Sequence, residues 1–281
     1  MILIRPSYEI INISGSDLLN TIYLSIEEAA RTCYKSQGLG TSNPQEFVTK
    51  LIQNGHLSML EHGTVYLTYK FPRKAWPNPL SLNNRYKQNP YSTVVYGFDE
   101  EEDKHIAYVT TNYRVLVDNG WWEDLNYLTK KQEKHIARHT VKFICSRACA
   151  QQLTRHRVFS FAMESQRYCN YSKDRFGNNI TFILPEWYKG EQLPTPGDIS
   201  ERLFYLSCKE SEGAYFDLLK EGKSPQEARV VLPNATKTEI VVTGTEKQWR
   251  HFFELRALNS TGAADAEIHR LASMLYIDLH K

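Results

Sequence analysis

The chain has 281 residues, of which 41% are hydrophobic, with 34 Lys and Arg against 32 Asp and Glu. This length and apolar content suffice to bury a sizeable core, so disorder is excluded as the dominant state. A net charge of +2 is too small for the broad basic field of a non-specific nucleic-acid binder, and no apolar run is long enough to predict a membrane span. We therefore expect a small anionic partner that is bound by local arginines.

The N-terminal segment predicts two strands and a helix. Residues 1–4 and 9–13 are short apolar runs, each typical of a strand. Ser25 and Glu28 have the spacing of a capping box, which predicts a helix that begins there and runs through Cys33.

A second helix and a third strand are predicted next. Asn43 as N-cap and Pro44 as the first helical residue predict a helix that ends at Asn54. In residues 64–71, large apolar or aromatic side chains at the odd positions alternate with more polar ones at the even positions. This alternation is typical of a strand with two distinct faces.

Residues 72–139 differ in character and are interpreted as an insertion into a single domain of residues 1–281. Prolines punctuate an aromatic and Asn-rich segment, the acidic run at 99–103 predicts a solvated loop, and a polar helical stretch follows. Residues 140–153 resume helical spacing, which predicts a core helix that leads directly into Arg155.

The C-terminal half predicts a short strand over 180–184 and a helix beyond residue 200. A capping box that begins at Ser224 predicts a short helix and places Arg229 on a rigid element. A further capping box, which begins at Thr245, predicts a helix that ends near Arg256.

Several common site patterns are absent. His135 and His139 have the spacing of one helical turn but lack the glutamate of a metalloprotease helix, so we interpret them as part of a charged helix surface and predict no metal site. There is no G-x-G-x-x-G, and residues 222–224 lack the earlier glycine of a phosphate loop. The five cysteines form no C-x-x-C pair and the N-terminus has no signal-peptide pattern, so we expect a cytoplasmic protein.

The segment 152–168 carries the strongest chemical signal. It gathers Arg155, Arg157 and Arg167 with a histidine and a carboxylate in a non-repetitive, aromatic context. Guanidinium groups stay charged and bind phosphate through paired donors. By itself the cluster fits either a receptor for a nucleotide phosphate or a structural network of salt bridges.

Three blocks together resemble the flavin-dependent thymidylate synthases. Residues 155–157 read Arg-His-Arg, a serine follows after seven residues, and 167–168 read Arg-Tyr, a spacing similar to the signature of that family. Residues 55–62 resemble its flavin-site segment, and 229–233 with 253–256 resemble its C-terminal nucleotide segment. The segments that resemble the family, taken together with the chain between them, cover roughly two-thirds of the sequence.

The resemblance implies methylation of dUMP at C5 to give dTMP. Methylenetetrahydrofolate would supply the carbon, NADPH the electrons, and a bound FAD the hydride. It further implies that Arg256 is the catalytic residue, a permanent cation that stabilises the ionised N3 edge of the base. A synthase of the other, flavin-free family would attack the base with a cysteine in a Pro-Cys-His setting, and none of the five cysteines has these neighbours.

The resemblance also implies two sets of binding residues. The dUMP set is Gln152, Arg155, Glu164, Ser165, Gln166, Arg167, Arg229 and Arg256. The FAD set is His56, Ser58, Arg155, His156, Arg157, Thr245, Lys247 and His251. Ser165 would be a ligand rather than a nucleophile, because no base lies at a recognisable spacing. Taken alone, His56 fits a buried structural histidine better than a ligand.

Five positions depart from the family pattern. Ala162 and Met163 stand where Asn and a polar or acidic residue are common. Thr245, Lys247 and His251 stand where Asn, Arg and Asn commonly contact FAD. Because lysine lacks the planar fork of arginine, we expect a reduced affinity for FAD. Thr245 also has a structural role as an N-cap.

We expect an α+β fold in which the strands near Met1, Thr64 and Ile180 form a mostly antiparallel sheet covered by helices. The resemblance implies a homotetramer whose active sites lie between subunits, so that His56 and Arg256 from different copies could meet.

Two alternative functions remain open. One is a flavin-dependent relative that transfers another one-carbon group to a pyrimidine nucleotide or that has lost turnover. The other is a single-stranded nucleic-acid binder in which Phe159, Phe161 and Tyr168 stack on bases while the arginines contact phosphates.

Overall fold

The computed structural model describes residues 1–35, 43–75, 83–173 and 177–280. Its strands are β1 (Ile2–Ile4), β2 (Ser7–Ile11), β3 (Thr64–Pro72), β4 (Thr93–Asp99), β5 (Lys104–Asn112), β6 (Arg138–Ser146), β7 (Ser160–Met163), β8 (Thr181–Ile183) and β9 (Lys237–Thr245). Its α-helices are α1 (Leu18–Tyr34), α2 (Pro44–Gln53), α3 (Tyr113–Asn119), α4 (Arg147–Leu153), α5 (Ile199–Lys220), α6 (Pro225–Ala228), α7 (Glu246–Arg256) and α8 (Ala266–Leu279). Short 3-10 helices at Leu57–His62 and Arg229–Val231 also carry predicted site residues.

The described strands form three sheets. One is antiparallel with the order β2-β6-β9-β7, the second is antiparallel with the order β3-β5-β4, and the third is a parallel pair of β1 and β8. The expected α+β class with mostly antiparallel pairing is confirmed. The expectation that the strands near Met1, Thr64 and Ile180 share one sheet is confirmed only for the first and the last, because β1 pairs with β8. Strand β3 lies in the three-stranded sheet instead, which packs its apolar face into a separate hydrophobic cluster.

The four-stranded sheet holds the family-like segments in place. Strand β6 ends at Ser146, whose hydroxyl caps α4, and α4 leads the chain toward β7. Strand β7 pairs with β9 from Ser160 opposite Thr243, close to the point where β9 ends and α7 begins at its N-cap Thr245. The loop after α4 and the start of α7 are therefore neighbours at one end of the sheet.

The helix predicted over 140–153 is wrong in its first half. Val141, Phe143 and Cys145 are fully buried and alternate with more exposed residues, which is the period of a strand. The helical part starts only after Ser146, and it ends directly before Arg155 as predicted.

The predicted start of the first helix is also wrong. The helix α1 begins at Leu18, and its N-cap is Asp17, whose carboxylate accepts a hydrogen bond from the Asn20 N–H. Ser25 lies inside the helix and donates its hydroxyl to the Thr21 carbonyl. Because Asp17 already caps the helix N-terminus, the helix begins at Leu18, well before Ser25, and the capping-box pattern at Ser25 is not used.

The segment interpreted as an insertion supplies two strands of the three-stranded sheet. The strand predicted at 64–71 is confirmed as β3, and β4 and β5 extend its sheet. The acidic run is a solvated loop between these two strands, as predicted. The helical stretch predicted to follow it is confirmed only at α3, because 104–112 form β5, where cross-strand pairing with β3 and β4 decides the conformation.

The two histidines of this segment do not share a helix surface. His135 is buried in the turn before β6, where its Nε2 lies 3.0 Å from the Leu67 carbonyl and its Nδ1 accepts the Gln132 N–H. His139 lies within β6. The interpretation as a charged helix surface is therefore wrong, since the i, i+4 spacing falls across a turn and a strand.

The remaining caps are as predicted. Asn43 and Pro44 begin α2, Ser224 precedes α6, and the Thr245 capping box begins α7. No helix within the described residues is long and apolar enough to cross a membrane.

Candidate active site

A groove of about 800 Å³ opens where the loop after α4 meets α7. Its walls are the loop 155–159, one face of α7 and the segment 90–93 that leads into β4. Residues singled out from the sequence supply much of the lining, namely Arg155, His156, Arg157, Thr245, Lys247, His251 and Arg256. The fold thus joins two predicted site segments that are far apart in the chain.

The loop that forms one wall is held in a strained conformation. Val158 has a φ of 75°, a region that β-branched residues rarely occupy and that costs about 1–3 kcal/mol. Its carbonyl accepts a hydrogen bond from Gln248 Nε2 (3.1 Å), and the next residue, Phe159, is buried with its ring 4.7 Å from that of Trp249. Gly244 is required beneath it, because a Cβ there would lie 2.2 Å from the Phe159 ring.

The groove carries uncompensated positive charge. Arg155, Arg157 and Lys247 are exposed, and Arg256 is half-buried. None of these four forms an ion pair with an Asp or Glu in the described part of the chain, and no lining residue is acidic. Such a surface favours an anionic ligand, because the ligand would supply the missing countercharge.

Arg256 is oriented by His156. The Arg256 Nε–H donates to His156 Nε2 over 3.0 Å, and the His156 ring packs edge-on against Phe252 at 5.1 Å. Burial, followed by the charge of Arg256, lowers the pKa of His156 to about 4. His156 is therefore neutral at pH 7 and can accept this hydrogen bond. The Arg256 carbonyl accepts a further bond from His269 Nδ1, at 2.8 Å.

A second group of predicted dUMP residues surrounds the turn after β7. Ser165 donates its backbone N–H to the Cys33 carbonyl at the end of α1, and its hydroxyl accepts the Arg167 N–H. The Arg167 Nε–H donates to Gln226 on α6 (2.9 Å), and Arg229 follows that helix directly. Gln166 is buried, and its Nε2 has no hydrogen-bond partner among the described residues.

Glu164 lies in the interior rather than on an open surface. It is 1% exposed and accepts hydrogen bonds from Lys237 Nζ at 3.0 Å and from the Tyr171 hydroxyl at 2.8 Å. Lys35 lies 3.7 Å away, and Lys237 also pairs with Glu239. Burial opposes the charge on Lys237, but the two carboxylates raise its pKa above the ordinary value. In a single chain Glu164 therefore anchors the turn that carries the next three predicted residues.

The other predicted residues lie apart from the groove. His56 and Ser58 are both exposed at the 3-10 helix that packs on β7, so the interpretation of His56 as a buried structural residue is wrong. Gln152 is half-buried near the end of α4. Ala162 is buried against Ala29 of α1, where a small residue allows close packing.

Several groove residues were not identified from the sequence. Tyr91, Ser92 and Thr93 come from the segment interpreted as an insertion, and no local pattern links them to Arg155. Gln248 could have been found, because its capping-box position places it beside Thr245. Lys237 carries no local signal for its pairing with Glu164, which only the β7–β9 alignment brings about.

Comparison with known proteins identifies the family. The sequence model of the family described as thymidylate synthase complementing protein matches residues 99–281, which is more than half of the chain. A flavin-dependent thymidylate synthase of Mycobacterium sp. (strain KMS) is 37% identical over 146 residues, and the match covers 45% of this chain and 52% of the relative. One of Mycobacterium avium (strain 104) is 36% identical over 136 residues, with 45% and 51% covered.

The chain therefore belongs to the thymidylate synthase complementing protein family, and the resemblance to flavin-dependent thymidylate synthases is confirmed. It spans about half the length of the curated relatives it matches. The family match begins at residue 99, so it includes the second part of the segment interpreted as an insertion and excludes His56 and Ser58.

A solved structure was also compared. The crystal structure of a UMP/dUMP methylase, PolB, from Streptomyces cacaoi bound with 5-Br dUMP aligns with 99% of this chain and 92% of that chain, at 17% identity and a TM-score of 0.46. At this level the similarity assigns neither a fold nor a ligand.

The groove residues fit the flavin that the names of the curated relatives imply for those proteins. Two guanidinium groups and Lys247 suit the charges of a pyrophosphate, and the N-terminus of α7 at Thr245 adds the positive end of a helix dipole. Its volume lies within the range of about 300–1,000 Å³ that is usual for small-molecule and cofactor sites. Arg155, His156, Arg157, Thr245, Lys247 and His251 are the residues that could hold it.

Proposed function

We propose that this protein is a flavin-dependent thymidylate synthase that converts dUMP to dTMP, with methylenetetrahydrofolate as carbon donor and NADPH as reductant. The observation that carries this proposal is the convergence of the Arg155–Arg157 loop with Thr245, Lys247 and Arg256 in one cationic groove. Membership in the family and the names of its curated relatives support the reaction class.

Within this proposal, Arg155, Arg157 and Lys247 bind the pyrophosphate of FAD. When bound, the reduced flavin would supply hydride to the pyrimidine whose C5 carries the one-carbon unit. His251 lies on the same face of α7 as Lys247 and lines the groove with it. Because Lys247 offers a point charge rather than a fork, we expect weaker FAD binding than arginine would give.

Arg256 is proposed to stabilise negative charge on the pyrimidine. Its Nε–H is held by neutral His156, and its Nη1 and Nη2 atoms have no partner among the described residues. A fixed cation aimed at developing charge needs little reorganisation during the reaction, so it lowers the barrier. His156 is thus a positioning residue, and its low pKa keeps it an acceptor throughout the neutral range.

The proposed dUMP residues form two groups in one chain, the groove and the turn at 165–167 near Arg229. A homotetramer could complete each site by bringing His56 and Ser58 of one copy to the groove of another, since closed symmetry repeats such contacts. Glu164 would act through the turn that it anchors rather than by direct contact.

The nucleic-acid alternative gains no support from the aromatic side chains. Phe159 is buried against Trp249 and Phe252, and Phe161 is half-buried. Tyr168 is exposed, with Arg167 over its ring at 5.6 Å. One exposed ring does not form the row of stacking surfaces that successive bases need.

The experiment that tests the proposal is an absorption spectrum of the purified full chain, followed by NADPH addition without oxygen. We expect a flavin band that bleaches at a rate dependent on dUMP, and a product from dUMP with the mass of dTMP when methylenetetrahydrofolate is added. The double variant R155Q/R157Q should lose the flavin band, whereas R250Q, which changes an exposed arginine of α7 outside the groove, should keep it. A colourless protein that does not take up added FAD would refute the proposal, and a different product mass would favour the one-carbon relative.

A further inference from the structure

A second cavity, of about 480 Å³, lies between the segment that leads into α1, the start of β3 and the loop that leads into β6. It shares no lining residue with the groove of the candidate active site. Its volume falls in the range of about 300–1,000 Å³ that small-molecule sites occupy. It therefore needs an explanation that is independent of the proposed reaction.

The charged residues in the wall of this cavity are all cationic. Lys130, Lys131 and Arg138 line it, and no Asp or Glu occurs among its lining residues within the described ranges. Glu61 is nearby, but its carboxylate is paired with Arg114 at 2.6 Å, and only its backbone carbonyl accepts from Arg138 Nη2. Glu61 thus offsets the charge of Arg138 only in part and without an ion pair, and Lys130 and Lys131 have no ion pair within the described ranges.

Arg138 offers a buried donor that lacks an acceptor. Its Nε is buried and has no hydrogen-bond partner in the part of the chain that the structure describes. Burial lowers the pKa of Arg138 to about 10, so the side chain still carries its charge at neutral pH. A buried guanidinium N–H without an acceptor is destabilising, and an oxyanion in the cavity would offset this loss.

The rest of the wall is apolar or neutral. Its apolar residues are Ile11, Ile13, Leu18, Ile22 and Leu128. His62 also lines the cavity, where burial and then the charge of Arg138 lower its pKa to about 3, and the Phe161 backbone opposes this shift to a smaller extent. His62 is therefore neutral, and the cavity combines an apolar wall with a cationic one.

We propose that this cavity binds a small organic carboxylate, with its oxygens at Arg138, Lys130 and Lys131 and its apolar body against Ile22 and Leu128. The ligand needs an apolar body because the aliphatic side chains of the wall contribute to binding only when the ligand removes them from contact with water. The carboxylate is needed because the three cations have no acidic partner in the wall. The inference rests on neither the flavin nor the nucleotide of the proposed function.

The test is a calorimetric titration of the full chain with 4-iodobenzoate and, as an isosteric control, with neutral 4-iodobenzamide. We expect the benzoate to bind and the benzamide to bind about tenfold more weakly or not at all. The double variant K130Q/K131Q should weaken benzoate binding by about tenfold, because it removes two partly solvated ion pairs with the carboxylate. The matched double variant K134Q/K220Q removes two exposed lysines outside the cavity and should change binding by less than about twofold.

The position of the ligand is then read from the anomalous signal of iodine in crystals soaked with 4-iodobenzoate. Iodine beside Leu128, with the carboxylate at Arg138, would support the inference. Equal binding of the benzamide, no change in K130Q/K131Q, no measurable binding, or iodine only in the groove beside Arg155 would overturn it. Flavin content and dUMP turnover are not part of these readouts, so failure here leaves the proposed function untouched.

Discussion

The groove and the network around Glu164 use the same residue types in opposite ways. In the network, Glu164 and Glu239 neutralise Lys237 in the interior, and Lys142 adds a further contact to Glu239 at 3.2 Å. In the groove, exposed arginines face solvent with no acidic partner among the described residues. The charges of the network are therefore compensated within the chain, whereas those of the groove are available to an anionic ligand.

The largest effect should come from breaking the buried network. Lys237→Met leaves Glu164 in the interior without its main partner, and we expect the free energy of unfolding to fall by about 3–5 kcal/mol. Denaturant unfolding measures this change. The control Lys220→Met removes an exposed lysine that pairs with Asp217 and should cost less than about 1 kcal/mol. Equal losses in the two variants would contradict the structural role of the network.

The second-largest effect is a loss of turnover, which we expect from a change in the groove. Arg256→Ala should lower turnover by about 100-fold or more, equivalent to roughly 3 kcal/mol of transition-state stabilisation, while FAD stays bound. Steady-state kinetics and the flavin absorption band check both parts. Arg250→Ala, on an exposed part of the same helix, should retain turnover. Full activity of the Arg256 variant would disprove its catalytic role.

A third effect concerns pH. His62 is 1% exposed and its pKa is lowered to about 3, so the unfolded chain binds a proton there that the folded chain does not. Stability from this residue is fully present above about pH 6.5 and is lost as the pH falls toward 3, with a slope of up to about 1.4 kcal/mol per pH unit.

His62→Gln should remove that part of the pH dependence of unfolding between about pH 3 and 6.5. His280→Gln, which changes an exposed histidine, should leave the slope as it is. If the His62 variant keeps the full slope, the histidine is not neutral in the folded chain.

The smallest expected effect is a change in the affinity of the groove for FAD. Lys247→Arg introduces the planar fork that the resemblance implies for this position, and we expect a few-fold tighter binding of FAD, or less than about 1 kcal/mol. Titration of the flavin-depleted chain with FAD measures this gain. Lys220→Arg should produce no gain, and weaker binding by the Lys247 variant would mean that its position contacts FAD differently or not at all.

The sequence by itself determined the local elements and the family. Caps at Asn43, Ser224 and Thr245 were predicted because a short side chain satisfies helix N–H groups within a few residues. The alternation of residues 64–71 specified a strand for the same local reason. The Arg-His-Arg segment and its spacing to Ser165 identified the family, which the comparison confirmed.

Only the tertiary structure decided which of these elements meet. Residues 104–112 and 140–146 became strands because their neighbours in the sheets supply the hydrogen bonds, and no local pattern records that pairing. Glu164 has the chemistry of a ligand in the sequence, but the alignment of β7 with β9 pairs it with Lys237. Charge alone cannot tell a structural carboxylate from a binding one, because burial and partners set its role, and both arise from contacts between distant segments.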